Sequence, residues 1–152
     1  MIPVLLTPHF SLDELTFSST ALRNSLDNTP TPDVVANLTR LCETLLEPAR
    51  EMLGQPFQID SGYRCPELNA LVHGVPNSAH KDGRAADVIP QDLDLRTCFD
   101  ELRKSSLPYD QIIFECAAWI HLAVAPDGET PRREALEAVR DAAGRFSYQR
   151  VQ

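Results

Sequence analysis

The sequence contains no Cys-x-x-Cys pair. Its four cysteines, Cys42, Cys65, Cys98 and Cys116, stand too far apart for a sulfur-rich zinc knuckle, and each is expected to be a buried small hydrophobe. Long apolar runs are missing too. The opening Met1-Ile2-Pro3-Val4-Leu5-Leu6 is too short for a transmembrane helix and lacks the basic start and apolar length of a secretory signal. The expectation is a soluble chain synthesised in the cytoplasm, without disulfides. Positive charge is scarce, with 14 Lys and Arg against 22 Asp and Glu and a net charge of −8. Clustered cations drive phosphate binding, so nucleic acid is not an expected partner, and charge gives no pull toward an anionic membrane or cell wall. No internal repeat or low-complexity segment interrupts the chain, and 152 residues suffice for one domain with its own core.

What is present begins with a capping box. Ser11-Leu12-Asp13-Glu14 starts a short helix just after Phe10, and a second short helix is expected from about Ser19 to Leu26. Asn28-Thr29-Pro30-Thr31-Pro32 breaks the chain, and Thr31 before Pro32 is a good N-cap with proline at the first helical position. Val34, Val35, Leu38, Leu41, Cys42, Leu45, Leu46, Ala49, Met52 and Leu53 then recur at three- and four-residue spacing, which makes this the core helix. Pro48 removes one backbone donor inside it, so a kink or break is expected one turn upstream, and Gly54 ends it.

Phe57-Gln58-Ile59-Asp60 alternates as a strand should, Pro66 starts a short helix through about Val72, and Ala85 to Ile89 reads as a strand. Asp92 or Asp94 can cap a helix that buries Leu95, Phe99 and Leu102. The apolar runs Gln111 to Cys116 and Trp119 to Ala125 lie too close together for anything but a hairpin. Thr130-Pro131 is expected to cap a last helix that turns Ala135, Leu136 and Val139 inward and stops near Gly144, with Phe146 and Tyr148 able to pair as an edge strand beyond it.

The chemistry concentrates in Ser78-Ala79-His80-Lys81-Asp82-Gly83-Arg84-Ala85-Ala86-Asp87. An imidazole and a carboxylate stand seven residues apart, and Gly83 with its polar neighbours argues for a loop running into a strand. In the hairpin, period-two alternation puts Glu115 on one face of the first strand and Trp119 and His121 on one face of the second. If Cys116 to Ala118 turn the chain so that Glu115 lies opposite Trp119, Glu115 and His121 face the same side as close neighbours.

Two imidazoles and one carboxylate are a known ligand set for a catalytic zinc that keeps its fourth position open for water, and His80, Asp87 and His121 have this form. Mixed nitrogen and oxygen ligands also leave room for cobalt or manganese. Glu115 is the candidate general base, and Arg64, whose fork suits a carboxylate or a developing oxyanion, is the candidate for stabilising charge. Arg64 could instead brace its loop through an ion pair with Asp60 or Glu67. His9 reads as structural. His73 reads as a helix-end cation or a support behind the ligands, Trp119 as a pocket wall or core filler, and Lys81, Asp82 and Arg84 as a solvated loop.

Ser78-x-His80-x-x-Gly83-x-Ala85-x-Asp87, the Trp119-Ile120-His121 strand and Ser61-Gly62-Tyr63-Arg64-Cys65-Pro66-Glu67-Leu68-Asn69 together resemble the zinc-dependent M15 peptidases, the D-alanyl-D-alanine carboxypeptidase group. The likeness is densest from Asp60 to Asp87 and from Tyr109 to Val124, and the N-terminal segment is similar to phage-type members. The resemblance implies one zinc per chain on His80, Asp87 and His121, a catalytic acid/base at Glu115 and a charge-stabilising Arg64. It also implies that Ser78 bonds the substrate's terminal carboxylate or steadies the ligand loop. Two departures stand out: Ala79 occupies a position where similar members often carry glutamine, and Glu115 lies further from His121 than in the Glu-x-x-His arrangement of some members.

The expected fold is α+β, of the hedgehog and DD-peptidase type. A small, mainly antiparallel sheet of Phe57 to Asp60, Ala85 to Ile89 and the 111–125 hairpin carries the zinc site on one face, and helices cover the other. One domain over 1–152 is expected, with a helical segment to about 54 and the catalytic sheet region beyond. The resemblance implies hydrolysis of a peptide bond next to a D-amino acid. The partner is a peptidoglycan stem peptide or D-Ala-terminated fragment, the enzyme is a monomer, and its setting is phage or prophage lysis, in which it reaches the cell wall of the host periplasm after release. The rival among enzymes is a dipeptidase or carboxypeptidase acting on small fragments. The rival outside them is a non-catalytic cell-wall-binding or virion structural module that keeps the zinc fold.

Overall fold

A computed structural model describes residues 2–151. A short hairpin of β1 (Leu5–Thr7) and β2 (Phe10–Ser11) leads into α1 (Leu12–Thr16), where the Glu14 amide donates to Ser11 Oγ and the Ser11 amide donates to Glu14 Oε1. This is the capping box that the sequence predicts. Next, α2 (Ser19–Arg23) stops short of the expected Leu26, and α3 (Pro32–Leu41) opens on the Thr31 cap. The core helix then passes through a single π turn, Cys42–Leu46, into α4 (Glu47–Leu53). Pro48 has no N–H to give to the preceding turn, and the wider turn falls one turn upstream of it, where a break is expected.

Downstream lie β3 (Phe57–Ser61), α5 (Pro66–Leu71), a 3-10 turn over Ala79–Asp82, β4 (Ala85–Pro90) and α6 (Leu95–Arg103), capped by Asp94 and not Asp92. The chain ends in β5 (Gln111–Glu115), β6 (Trp119–Ala123), β7 (Glu134–Arg140) and β8 (Phe146–Arg150). Strands β3 to β8 form one sheet in the order β3-β4-β6-β5-β7-β8, antiparallel at every pair except the parallel β5–β7. The architecture is therefore α+β with a mainly antiparallel sheet. No helix among the described residues is long and apolar enough to cross a membrane.

Alternation divides this sheet cleanly. Ala86, Val88, Ile112, Phe114, Ile120 and Leu122 join Leu38, Leu41, Leu45, Leu46, Phe99 and Leu102 in the core. Each fully buried side chain of this size contributes about 1.5–3 kcal/mol. The intervening residues of the same strands, among them Asp87, Glu115 and His121, therefore face the other side.

Besides Met52, which is 45% exposed near the end of the core helix, two expectations fail. The last helix does not form: residues 134–140 are the strand β7, and Val139 is exposed while Ala135 and Leu136 are half-buried. The open edge of β5 offers a full row of backbone donors and acceptors, and β7 pairs with it from Gln111↔Glu134 to Glu115↔Ala138. The buried carboxylate of Asp110 fixes the entry, accepting from the Arg132 backbone N–H at 2.9 Å and from Arg132 Nη2 at 2.8 Å. Local helix propensity loses to this tertiary pairing. The other failure is Cys116, which is exposed while Cys42, Cys65 and Cys98 are buried. It stands in the β5–β6 turn at φ 52°, followed by Ala117 at φ 57°, and such a turn throws its side chains outward. All four cysteines are free thiols.

Gly62, just after β3, approaches α1 so closely that a Cβ there would lie 2.2 Å from the Leu15 carbonyl oxygen, whose partner is the Tyr63 N–H at 2.7 Å. Gly62→Ala must push these backbones apart. It should cost about 2–4 kcal/mol, in the range of other overpacked or strained sites, read as a lower urea midpoint with an unchanged m-value.

Candidate metal and catalytic site

Antiparallel pairing of β4 with β6 sets Asp87 directly opposite His121. His80 reaches the same place from the 3-10 turn that precedes β4. That turn is capped by Ser78, whose Oγ accepts from the His80 N–H at 3.2 Å, and is closed by Gly83 at φ 74°. A side chain at Gly83 would strike the Val34 carbonyl of α3 at 2.8 Å, so the loop needs glycine both for its left-handed turn and for its seat on the core helix. Ser78 is buried and its side chain caps the turn that carries His80.

The three side chains are buried and offer ligand atoms that lie within 4.8 Å of one another. His80 Nε2 stands 3.3 Å from Asp87 Oδ1 and His121 Nδ1 stands 3.2 Å from the same oxygen, with the two rings edge to face at 5.1 Å between centroids. The other nitrogen of His80, Nδ1, is 2.7 Å from the Gly62 carbonyl oxygen. A carbonyl can only accept, so Nδ1 carries a proton there and Nε2 is the nitrogen that faces the carboxylate. A proton on the imidazoles, or a cation among the three groups, holds such a buried cluster together. Two nitrogens and one oxygen in this arrangement fit a zinc-type ion with an open fourth position. Burial opposes ionisation of Asp87, but the two imidazoles outweigh it and hold the carboxyl well below the usual carboxylate range.

Glu115 lies opposite Trp119 as the hairpin turn predicts, and two register steps beyond the Ile113↔His121 pair. Glu115 and His121 therefore share the open face. Burial pushes the Glu115 carboxyl up, Asp87 adds to this, and His121 and Arg64 only partly offset it. Such a carboxylate is a better base than an exposed one.

Arg64 enters from the loop after β3, its backbone N–H donating to the His80 carbonyl at 3.1 Å. Neither Asp60 nor Glu67 forms an ion pair with it among the described residues, and its buried Nε has no partner. Burial lowers its pKa, and Asp87 and Glu115 work against that. Among the described residues the Nε of Arg64 is thus left without an acceptor.

Other sequence-predicted residues fall outside this centre. His73 is exposed at φ 61°, and His9 pairs with Glu47 at 2.9 Å, tying the first hairpin to α4. Lys81, Asp82 and Arg84 line a separate concavity of about 370 Å³ with Asp33, Asn37 and Asp127. Trp119 is half-buried on the open face. The sequence reading missed Asn28, which it took only as part of a chain break. Its Nδ2 donates to the Thr16 and Tyr63 carbonyls and its Oδ1 accepts from the Cys65 N–H, so one amide clamps both sides of Arg64. It also missed Asp60, whose carboxyl is pushed up by burial and then by Asp87. An Asn before Thr-Pro carries no signal for the first role, and only the sheet pairing reveals the second.

The family model for Peptidase M15 matches residues 8–123, which include every residue of this centre. The chain belongs to the Peptidase M15 family. A comparison with curated proteins found no match. M15 membership implies a metallopeptidase that acts on a peptidoglycan-type substrate, and the His80–Asp87–His121 group could hold the zinc on which such peptidases depend.

The raised Glu115 pKa carries a stability consequence. In the folded state the proton is held more tightly than in the unfolded chain, so this group's contribution is complete below the ordinary glutamate pKa of about 4.3 and is lost as pH rises through the folded value. In the metal-free protein Glu115→Gln should therefore raise the melting temperature at pH 7, and thermal melts across pH should show that gain vanishing below about pH 4.

Proposed function

We propose that this M15 protein is a zinc-dependent peptidoglycan peptidase that hydrolyses a peptide bond next to a D-amino acid, with His80, Asp87 and His121 as the zinc ligands. The observation that carries this reading is the buried convergence of two imidazoles and one carboxylate beside an unpaired arginine and a carboxyl with a raised pKa. A binding or virion module would need the metal fold but not the last two groups.

Bound zinc supplies Lewis acidity and a water activated near neutral pH. Glu115, on the same face, accepts the proton of the attacking water and delivers it to the leaving amine as the tetrahedral species collapses. Arg64 meets negative charge, either on the scissile carbonyl oxygen or on the terminal carboxylate of the substrate, with a guanidinium whose Nε has no acceptor of its own. The Gly62 carbonyl holds the proton on His80 Nδ1 and so keeps Nε2 free for ligation. A carboxypeptidase removing terminal D-alanine and an endopeptidase cutting within the stem or cross-bridge use the same groups. We infer from the resemblance that the setting is phage or prophage wall lysis, reached after release from the cytoplasm.

Purified protein should hold about one zinc per chain, and His121→Ala should lose both metal and hydrolysis; elemental analysis showing full retention would refute the ligand set. Glu115→Gln should keep zinc and fold while turnover on purified peptidoglycan falls about a hundredfold or more. Mass spectrometry of the same digests separates the two activities, since free D-alanine as the sole product identifies a carboxypeptidase.

A further inference from the structure

The M15 match ends at residue 123, whereas the sheet continues through β7 and β8. Their register carries the catalytic face onward. Trp119 pairs with Glu115, Glu115 with Ala138, and Ala138 with Tyr148, so these four residues form one row across β6, β5, β7 and β8 on the face that bears the ligands. Ala138 is only 1% exposed although it lies on the open face near the sheet edge. Larger side chains on the same face must cover it, since methyl groups standing alone on an open sheet are not buried.

Tyr148 itself is 53% exposed, and its hydroxyl has no hydrogen-bond partner among the described residues. Its neighbour Phe146 differs, packing under the Arg140 guanidinium at 4.5 Å. Partial burial, and then Glu115, Cys116 and Asp87, push the phenol pKa up. Strands lie about 4.8 Å apart, so the row from Trp119 to Tyr148 spans roughly 14 Å. An extended peptide rising about 3.3 Å per residue covers that distance with about four residues.

We propose that Trp119 and Tyr148 are two aromatic walls on either side of Glu115 on the open face, with Ala138 covered beneath them, and that Tyr148 binds the stem peptide about three residues from the scissile bond. The C-terminal hairpin then selects for length: the site prefers a peptide stem of four or more residues over a free dipeptide. Aromatic faces suit this task because they give contact area at little entropic cost and accept a peptide backbone without reading its side chains. The inference rests on the peptidase reading above.

The test uses the zinc-loaded full chain carrying Glu115→Gln, so that ligand is not consumed, and calorimetric titration with two probes. One is a synthetic stem pentapeptide ending in D-Ala-D-Ala, the other the dipeptide D-Ala-D-Ala. Adding Tyr148→Ala should lower the ratio of pentapeptide to dipeptide affinity about tenfold, and Tyr148→Phe should restore most of it. A ratio that Tyr148→Ala leaves in place overturns the subsite, whatever happens to the melting temperature, because a residue that merely shields Ala138 changes stability and not length preference. If the wild-type chain neither binds nor cleaves either probe, the peptidase reading fails and takes the subsite with it. Loss confined to the Tyr148 comparison leaves the peptidase reading standing.

Discussion

Holding two imidazoles and a carboxylate within 4.8 Å of one another, buried, is the constraint on which the rest of this structure depends. Such a group is costly to desolvate and has reason to persist where a cation offsets the cost. Its geometry is set by a single register, Asp87 opposite His121 in the pairing of β4 with β6. A slip of one residue would turn one of the two ligands into the core and bring the apolar residues of its strand, Ala86 and Val88 or Ile120 and Leu122, out to solvent. The hydrophobic pattern of the two strands thus fixes the chemistry. The apolar residues need not approach the metal site to determine its shape.

Around that pair, backbone groups position what the sheet cannot. The Gly62 carbonyl fixes the tautomer of His80, the His80 carbonyl receives the Arg64 N–H, and Asn28 clamps the residues on either side of Arg64. The close approach of Gly62 to Leu15 ties this arrangement to the N-terminal helix, and Gly83 ties the ligand loop to α3. The helical half of the chain therefore serves as more than cover for the sheet: it holds the loops from which His80 and Arg64 project. Glu115 and Asp87 illustrate how environment separates two carboxylates only a strand or two apart. Direct imidazole contacts keep Asp87 ionised as a ligand, whereas burial with weaker compensation raises Glu115 toward the range of a working base.

Much of this was legible before any coordinates. The capping box, the core helix with its break before Pro48 and the hairpin with Glu115 opposite Trp119 follow from local signals, and the family motifs pointed to His80, Asp87 and His121 as one group. Each rests on a short-range rule of capping, helical period or strand alternation, or on a motif carried within a few residues. The reading failed at residues 134–140, where Ala, Leu and Glu at helical spacing form a strand. There the deciding factor was the unpaired edge of β5, more than twenty residues away in the chain.

By itself the sequence determined which residues could ligate, which could move a proton and which face of each strand would be apolar, because those properties belong to the side chains and their local period. Only the tertiary structure decided that Arg64 Nε lacks an acceptor among the described residues, that Asn28 supports its loop, and that Tyr148 stands in one row with Glu115 and Trp119. These depend on pairings between distant segments, where backbone hydrogen bonds and close packing select one register among many that local preference would allow.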